Sequence, residues 1–270
     1  MTVEITTPEI IQKHTEDYRT SENMISRRSE SENKRRNILR AHSKSLFDGD
    51  IALETINLVT IDRQSISRLL YYYKLYQQIV DIPGVICEFG VQYGATLSNL
   101  VNLRGMLEPY NVSRKLFGFD TFEGFVSISD KDHKRNDILK VGDYSVPINY
   151  EKQLNDILEL QEINCPVSHI KKFELVKGDV SITVPKWLED NPEALISMAI
   201  FDMDLYRPTK DVLERIIPRL YKGSLLVFDE LTLATNPGES VALQEVLAVN
   251  NLTLKRDPHQ SYCAWTIWGK

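Results

Sequence analysis

Apolar residues are sparse and irregular over the first fifty positions and become periodic afterwards. The opening stretch is polar and charge-rich, with isolated Ile11, Met24, Ile25, Ile38, Leu39, Leu46 and Phe47, a pattern that predicts helical arms outside a core. Residues 65–80 carry Ile66, Leu69, Leu70, Tyr73, Tyr76, Ile79 and Val80 at helical spacing, and Pro83-Gly84 ends the run. Short apolar runs then alternate with helical patterns. Strands are predicted at 85–89, 116–119, 173–176, 196–201 and 225–228, and helices at 95–107, 151–161, 181–189, 208–221 and 239–249. Residues 121–150 read as a long polar loop. Two closing strands, near 252–256 and 261–268, flank a short turn at Asp257-Pro258.

Strands that alternate with helices imply a parallel sheet with helices on both faces. The last two strands are too close for a crossover helix and must pair antiparallel. The expected fold is therefore α/β and Rossmann-like: a mostly parallel seven-stranded sheet, a C-terminal antiparallel hairpin and an N-terminal helical arm. The arm is assigned to residues 1–60 and the α/β domain to 61–270.

Composition narrows the class. With 42% hydrophobic and 26% charged residues the chain has material for a large core. Its formal net charge of −6 disfavours nucleic acid and anionic membranes as partners. Cys87, Cys165 and Cys263 show no paired or metal-ligand spacing, which with the polar N-terminus predicts a reduced, cytoplasmic location. No apolar run is long enough to span a bilayer. The polar arm suggests a homo-oligomer, a dimer or larger.

In open α/β sheets, ligands bind beyond the carboxyl ends of strands, near the point where strand order reverses. After the first strand comes Glu88-Phe89-Gly90-Val91-Gln92-Tyr93-Gly94-Ala95-Thr96. Its glycines permit close backbone approach and let a helix N-terminus face an anionic group, although they also suit a tight turn alone. Gly118-Phe119-Asp120-Thr121-Phe122 follows the second strand, where Asp120 is either an acceptor for ribose hydroxyls or a turn cap. Gly178-Asp179-Val180 follows the third, where Asp179 either accepts from an adenine amino group or caps the next helix. Asp202-Met203-Asp204-Leu205-Tyr206 and Asp229-Glu230 follow the fourth and fifth. If those strands are neighbours, Asp202, Asp229 and Glu230 form an all-oxygen cluster suited to magnesium, with manganese or calcium as alternatives; surface acids are the plainer reading.

Taken in order, Glu88-Phe89-Gly90-Val91 with Gly94, Phe119-Asp120-Thr121-Phe122-Glu123-Gly124, Asp202-Met203-Asp204-Leu205-Tyr206 with Thr209, and Asp229-Glu230 resemble the macrocin O-methyltransferase (TylF-like) family over roughly residues 60–268. The stretch from Phe228 through Pro237-Gly238-Glu239 is most similar to sugar O-methyltransferases of antibiotic pathways. The resemblance implies S-adenosyl-L-methionine as methyl donor, a divalent metal, and a sugar or glycoside acceptor. It implies a cofactor site at Glu88, Phe89, Gly90, Tyr93, Gly94, Thr96, Asp120, Thr121, Phe122, Gly178, Asp179, Val180 and Asp202. By the same resemblance Asp202 is a metal ligand and general base, with Asp229 and Glu230 as further ligands; Glu230 stands where many relatives carry aspartate.

Asp204 either binds the acceptor or fixes the turn at Tyr206. His259 is a backup base or an exposed turn residue, and Tyr71, Tyr72 and Tyr73 read as packing. A metal-dependent glycosyltransferase built on Asp202-x-Asp204 is the main rival, but it leaves the Glu88–Gly94 turn and Asp120 unexplained. A nicotinamide oxidoreductase lacks its third glycine here, and a non-catalytic module on the same fold is the remaining alternative.

Overall fold

The computed structural model describes residues 18–21, 24–26, 29–132 and 139–269. Contacts divide the chain into two units, Met1–Ile66 and Ser67–Lys270.

In the first unit, β1 (Tyr18–Ser21) and β2 (Met24–Ser26) form a short antiparallel hairpin where the polar pattern predicts helical arm. The helices expected there follow as α1 (Glu30–Phe47) and α2 (Leu53–Thr60). Ser29 and Glu32 start α1 with a reciprocal capping box, which satisfies two amides that a helix start otherwise leaves open. The calls on residues before Tyr18 lie outside the described residues.

Helix α3 (Arg63–Gln77) runs across the division and leads into the second unit. That unit alternates β3 (Val85–Phe89), α4 (Ala95–Leu107), β4 (Leu116–Asp120), α5 (Tyr150–Ile163), β5 (Phe173–Lys177), α6 (Val180–Asp190), β6 (Ile196–Phe201), α7 (Tyr206–Ile216), β7 (Leu225–Phe228) and α8 (Gly238–Val246), then closes with β8 (Lys255–Asp257) and β9 (Gln260–Ile267). The sheet order is β5-β4-β3-β6-β7-β9-β8. The first five strands are parallel, and β9 pairs antiparallel with both β7 and β8. The expected α/β architecture is thus present, including the terminal hairpin.

Two apolar layers cover the sheet, because successive residues of a strand face opposite sides. Ile86, Met198, Ile200, Leu225 and Val227 pack with Tyr71, Tyr72, Leu97, Leu100 and Leu158. Cys87, Ala199, Phe201, Leu226 and Phe228 pack with Trp187, Val212, Leu213 and Leu243. Central strands β3, β6 and β7 are buried along their whole length, so they read as continuous apolar runs.

Two helix bounds differ from the pattern. Helix α7 starts at Tyr206, which places Pro208 third in the helix, and it gives way at Ile217–Arg219 to a 3-10 turn. Pro218 lacks the amide that a continuing α-helix needs. Among the described residues no helix is long and apolar enough to cross a membrane.

Candidate functional site

Strand order reverses between β3 and β6: the chain runs outward from β3 to β5, then returns to β6 on the other side of β3. The residues that follow β3, β6 and β7 therefore share one edge of the sheet. Phe89 pairs with Phe201, and Phe201 with Phe228, so Gly90, Asp202 and Asp229 leave the sheet at matching positions. The ladder continues one step further, with Asp202 N–H donating to the Phe89 carbonyl at 2.8 Å and Asp229 N–H to the Phe201 carbonyl at 3.0 Å. The neighbouring strand ends anticipated from sequence are present.

Gly90 has φ +93°, and a Cβ there would lie 1.9 Å from the Asp202 carbonyl oxygen, so no side chain fits. Asp120, at the end of β4, ties down the turn that follows. Its Oδ2 accepts the amides of Val91 and Gln92 at 2.7 and 2.8 Å, and its Oδ1 accepts that of Phe122 at 2.5 Å. Three bonds use most of the carboxylate's acceptor capacity. Asp120 is therefore first a clamp on the β3–α4 turn.

Several other sequence candidates have identifiable partners. Phe89 is fully buried between Phe119 and Phe201, with ring centroids 5.0 and 5.5 Å away, so only its backbone is available to a ligand. Thr96 is buried and receives two hydrogen bonds from Arg68. Tyr93 is exposed and packs edge-on against Tyr150. The Thr121 hydroxyl donates to the Gly124 carbonyl, and buried Phe122 adopts φ +57°. Gly178 has φ +139°, and Asp179 caps α6 by accepting the Ser181 amide at 2.9 Å; Val180 opens that helix, buried. Glu88, next to last in β3, is fully buried, and its Oε2 has no hydrogen-bond partner among the described residues. Burial, then the nearby Asp202 carboxylate, pushes its pKa well above the usual range.

The carboxylates at the ends of β6 and β7 are held together by a cation that sequence reading overlooked. Arg68 of α3 donates from Nη2 to Asp202 Oδ2 at 2.9 Å, and its Nη1 lies 3.6 Å from Asp229 Oδ1. These three side chains remain 31%, 27% and 19% exposed, so the centre opens to solvent. Burial, and secondarily Asp229, pushes Asp202 up to about 7 despite Arg68. Burial and then Glu230 push Asp204 well up. Cys263 on β9 donates its thiol to Asp229 Oδ1 at 3.1 Å.

Glu239 also escaped sequence assignment, although Pro237-Gly238-Glu239 stood out as a segment. It is fully buried, and its two oxygens accept the amides of Met203 and Glu230, each at 3.3 Å. Asp204 adopts φ +61°. The turn around it is fixed by Asp132, whose Oδ1 accepts the Tyr206 amide at 2.6 Å, and by Gly238, whose added Cβ would meet that amide and the Asp204 carbonyl at 2.5 and 2.6 Å. His259 is occupied elsewhere: its Nδ1 lies 2.6 Å from Asp257 Oδ1 and 3.2 Å from Lys74 Nζ. Tyr71 and Tyr72 are core residues, in line with a packing role.

Asp202, Asp229 and Glu230 offer only oxygen donors, which suits a hard divalent cation. The Arg68 guanidinium between Asp202 and Asp229 is itself a positive charge where such an ion would sit. The donor chemistry therefore suits a metal, but among the described residues no three such side chains converge closely enough to hold one. The buried Glu88 carboxylate, with one oxygen unengaged, likewise fits a cationic ligand group.

A family model described as macrocin-O-methyltransferase (TylF) matches residues 66–254. Over 154 residues the chain is 26% identical to mycinamicin III 3''-O-methyltransferase of Micromonospora griseorubida, a match covering 55% of this chain and 56% of that protein. It is 24% identical over 163 residues to a tetracenomycin rhamnosyl 4'-O-methyltransferase of Streptomyces olivaceus, covering 55% and 53%. The chain thus spans about half the length of these curated relatives. The solved structure of CalS11, a calicheamicin methyltransferase, is similar with a TM-score of 0.83 and 38% identity, covering 90% of this chain and 95% of that one. The O-methyltransferase NovP, 16% identical with a TM-score of 0.56 over 75% and 79% of the two chains, shares the fold. These likenesses favour methyl transfer over the glycosyltransferase reading of Asp202-x-Asp204. The chain belongs to the macrocin O-methyltransferase (TylF) family.

Proposed function

We propose that this protein transfers a methyl group from S-adenosyl-L-methionine to a hydroxyl of a sugar, carried on a natural-product glycoside, a nucleotide-sugar or a surface glycan. The observation that carries this reading is the pairing of Asp202 and Asp229 at the switch point of the sheet, beside the Gly90 turn. Relatives support the substrate class: CalS11 is described as a TDP-rhamnose 3'-O-methyltransferase, and the matched curated proteins as a mycinamicin III 3''-O-methyltransferase and a rhamnosyl-tetracenomycin C 4'-O-methyltransferase.

The Gly90–Gly94 turn and the start of α4 face the carboxylate end of the donor, and buried Glu88 offers its unengaged oxygen as an acceptor for the ammonium. Asp120 holds that turn in place and has an acceptor position left for a ribose hydroxyl. Gly178, Asp179 and Val180 line the adenine end, with Asp179 acting through the backbone it caps. When bound, the donor supplies an activated methyl group on a sulfonium.

Asp202, Asp229 and Glu230 would hold a magnesium ion, or manganese or calcium, which would supply positive charge beside the acceptor oxygen. Asp202 receives the acceptor's proton. Alignment of the hydroxyl with the methyl carbon provides much of the remaining acceleration. Calorimetric titration with S-adenosylhomocysteine, with and without magnesium, tests the reading. Saturable binding supports it, and no binding by folded protein rejects it.

A further inference from the structure

We propose that Arg68 is a tethered counter-ion that competes with the divalent metal for Asp202 and Asp229, rather than a residue that helps to bind it. The inference rests on the metal reading of those carboxylates given above.

Arg68 engages both carboxylates that would chelate the ion, Asp202 through Oδ2 and Asp229 through Oδ1. A metal ion sits roughly 2.0–2.6 Å from its oxygen ligands, so it and a guanidinium cannot share the same side of a carboxylate. Arginine cannot leave by losing its proton, because a guanidinium stays charged throughout the accessible pH range. Metal entry therefore requires the guanidinium to withdraw.

Arg68 is held against the carboxylates without being sealed in. Thr96 Oγ1 accepts hydrogen bonds from Arg68 Nε and Nη2 at 2.9 and 2.6 Å, and because the same Nη2 bonds Asp202, this anchor keeps the guanidinium on the carboxylates. The Tyr72 ring, 5.5 Å from the guanidinium carbon, adds a cation–π contact to the same position. The side chain is 31% exposed, so it has room to turn outward. Without Arg68, the metal-free cluster would hold Asp202 and Asp229 side by side with no cation between them. Arg68 thus protects the empty centre and raises the metal concentration needed to fill it.

Manganese binding to the full-length, cofactor-free chain, followed by electron paramagnetic resonance, tests this without reference to turnover. Arg68→Met removes the charge at similar length and should tighten Mn2+ about tenfold, equivalent to about 1.4 kcal/mol of competition removed. Its metal-free melting temperature should fall below wild type. Arg68→Lys should return the affinity toward wild type. Thr96→Val, which loosens the anchor and keeps the charge, should shift affinity in the same direction as Arg68→Met but less, and it decides the matter if Arg68→Met does not fold. Wild-type binding of Mn2+ with equal or weaker binding by Arg68→Met, or by Thr96→Val where Arg68→Met does not fold, would overturn the proposal and leave the metal reading standing. Absence of Mn2+ binding in wild type and variants alike would overturn both.

Discussion

Glu239 reaches the backbone of Glu230 from beneath, accepting its amide at 3.3 Å through Oε2. Its other oxygen takes the Met203 amide, so one buried side chain holds both the turn after β6 and the turn after β7. The spacing of the metal-candidate carboxylates depends on this strut. Glutamine at 239 presents an amide nitrogen that cannot accept, which leaves one backbone N–H unsatisfied. Glu239→Gln should therefore destabilise the fold by about 1–3 kcal/mol, and Glu239→Ala by more. Denaturant unfolding measures it; wild-type stability in both variants would remove the strut from the account.

Asp202 is expected to separate chemistry from cofactor binding. Asp202→Asn retains shape but neither accepts a proton nor carries charge. Turnover should fall at least about 100-fold while S-adenosylhomocysteine affinity stays within a few-fold of wild type. Retained activity would take Asp202 out of the mechanism.

Asp202 also makes the metal-free protein sensitive to pH. Its pKa is about 7 in the folded chain, against about 4 when unfolded. A raised folded value means that this group's contribution to stability is full below about pH 4 and is lost as pH rises through 7. The melting temperature in EDTA should therefore be lower at pH 8 than at pH 5.5, and Asp202→Asn should flatten the difference. Because a metal binds the ionised carboxylate, magnesium should raise the melting temperature more at pH 8 than at pH 5.5. A magnesium effect that is larger at acid pH would contradict this.

Asp120 is the clamp on the β3–α4 turn. Asp120→Ala orphans the amides of Val91, Gln92 and Phe122 together. It should weaken S-adenosylhomocysteine binding at least about tenfold, since each 1.4 kcal/mol of lost organisation is tenfold in affinity. Unchanged affinity would show that the turn holds its shape without Asp120.

The strand framework was legible because buried parallel strands leave continuous apolar runs, as at 196–201, and the acids at their ends follow directly. Adjacency of Asp202 and Asp229 was conditional on neighbouring strands, a condition that the sheet order meets. Arg68 was not legible: it sits in an ordinary helical pattern, and its partner Asp202 is 134 residues away. Glu239 looked like a helix-start acid, and only its burial reveals the strut. His259 and Asp204 drew attention by chemical type, yet His259 bonds Asp257 and Lys74, while the Asp204 turn is fixed by Asp132 and Gly238. The hairpin at 18–26 falls in a segment with no alternation of apolar and polar positions to announce strands. Helix α7 ended early because Pro218 outweighed the apolar periodicity around it.

The central claim is methyl transfer to a sugar hydroxyl by the Asp202 centre. Incubating the full chain with S-adenosyl-L-methionine, magnesium and a panel of deoxysugar nucleotides and glycosides, with mass spectrometry of the products, tests it most directly. The account predicts a singly methylated sugar and equimolar S-adenosylhomocysteine, both abolished by EDTA and by Asp202→Asn. Methylation that persists undiminished in EDTA and in Asp202→Asn would contradict it.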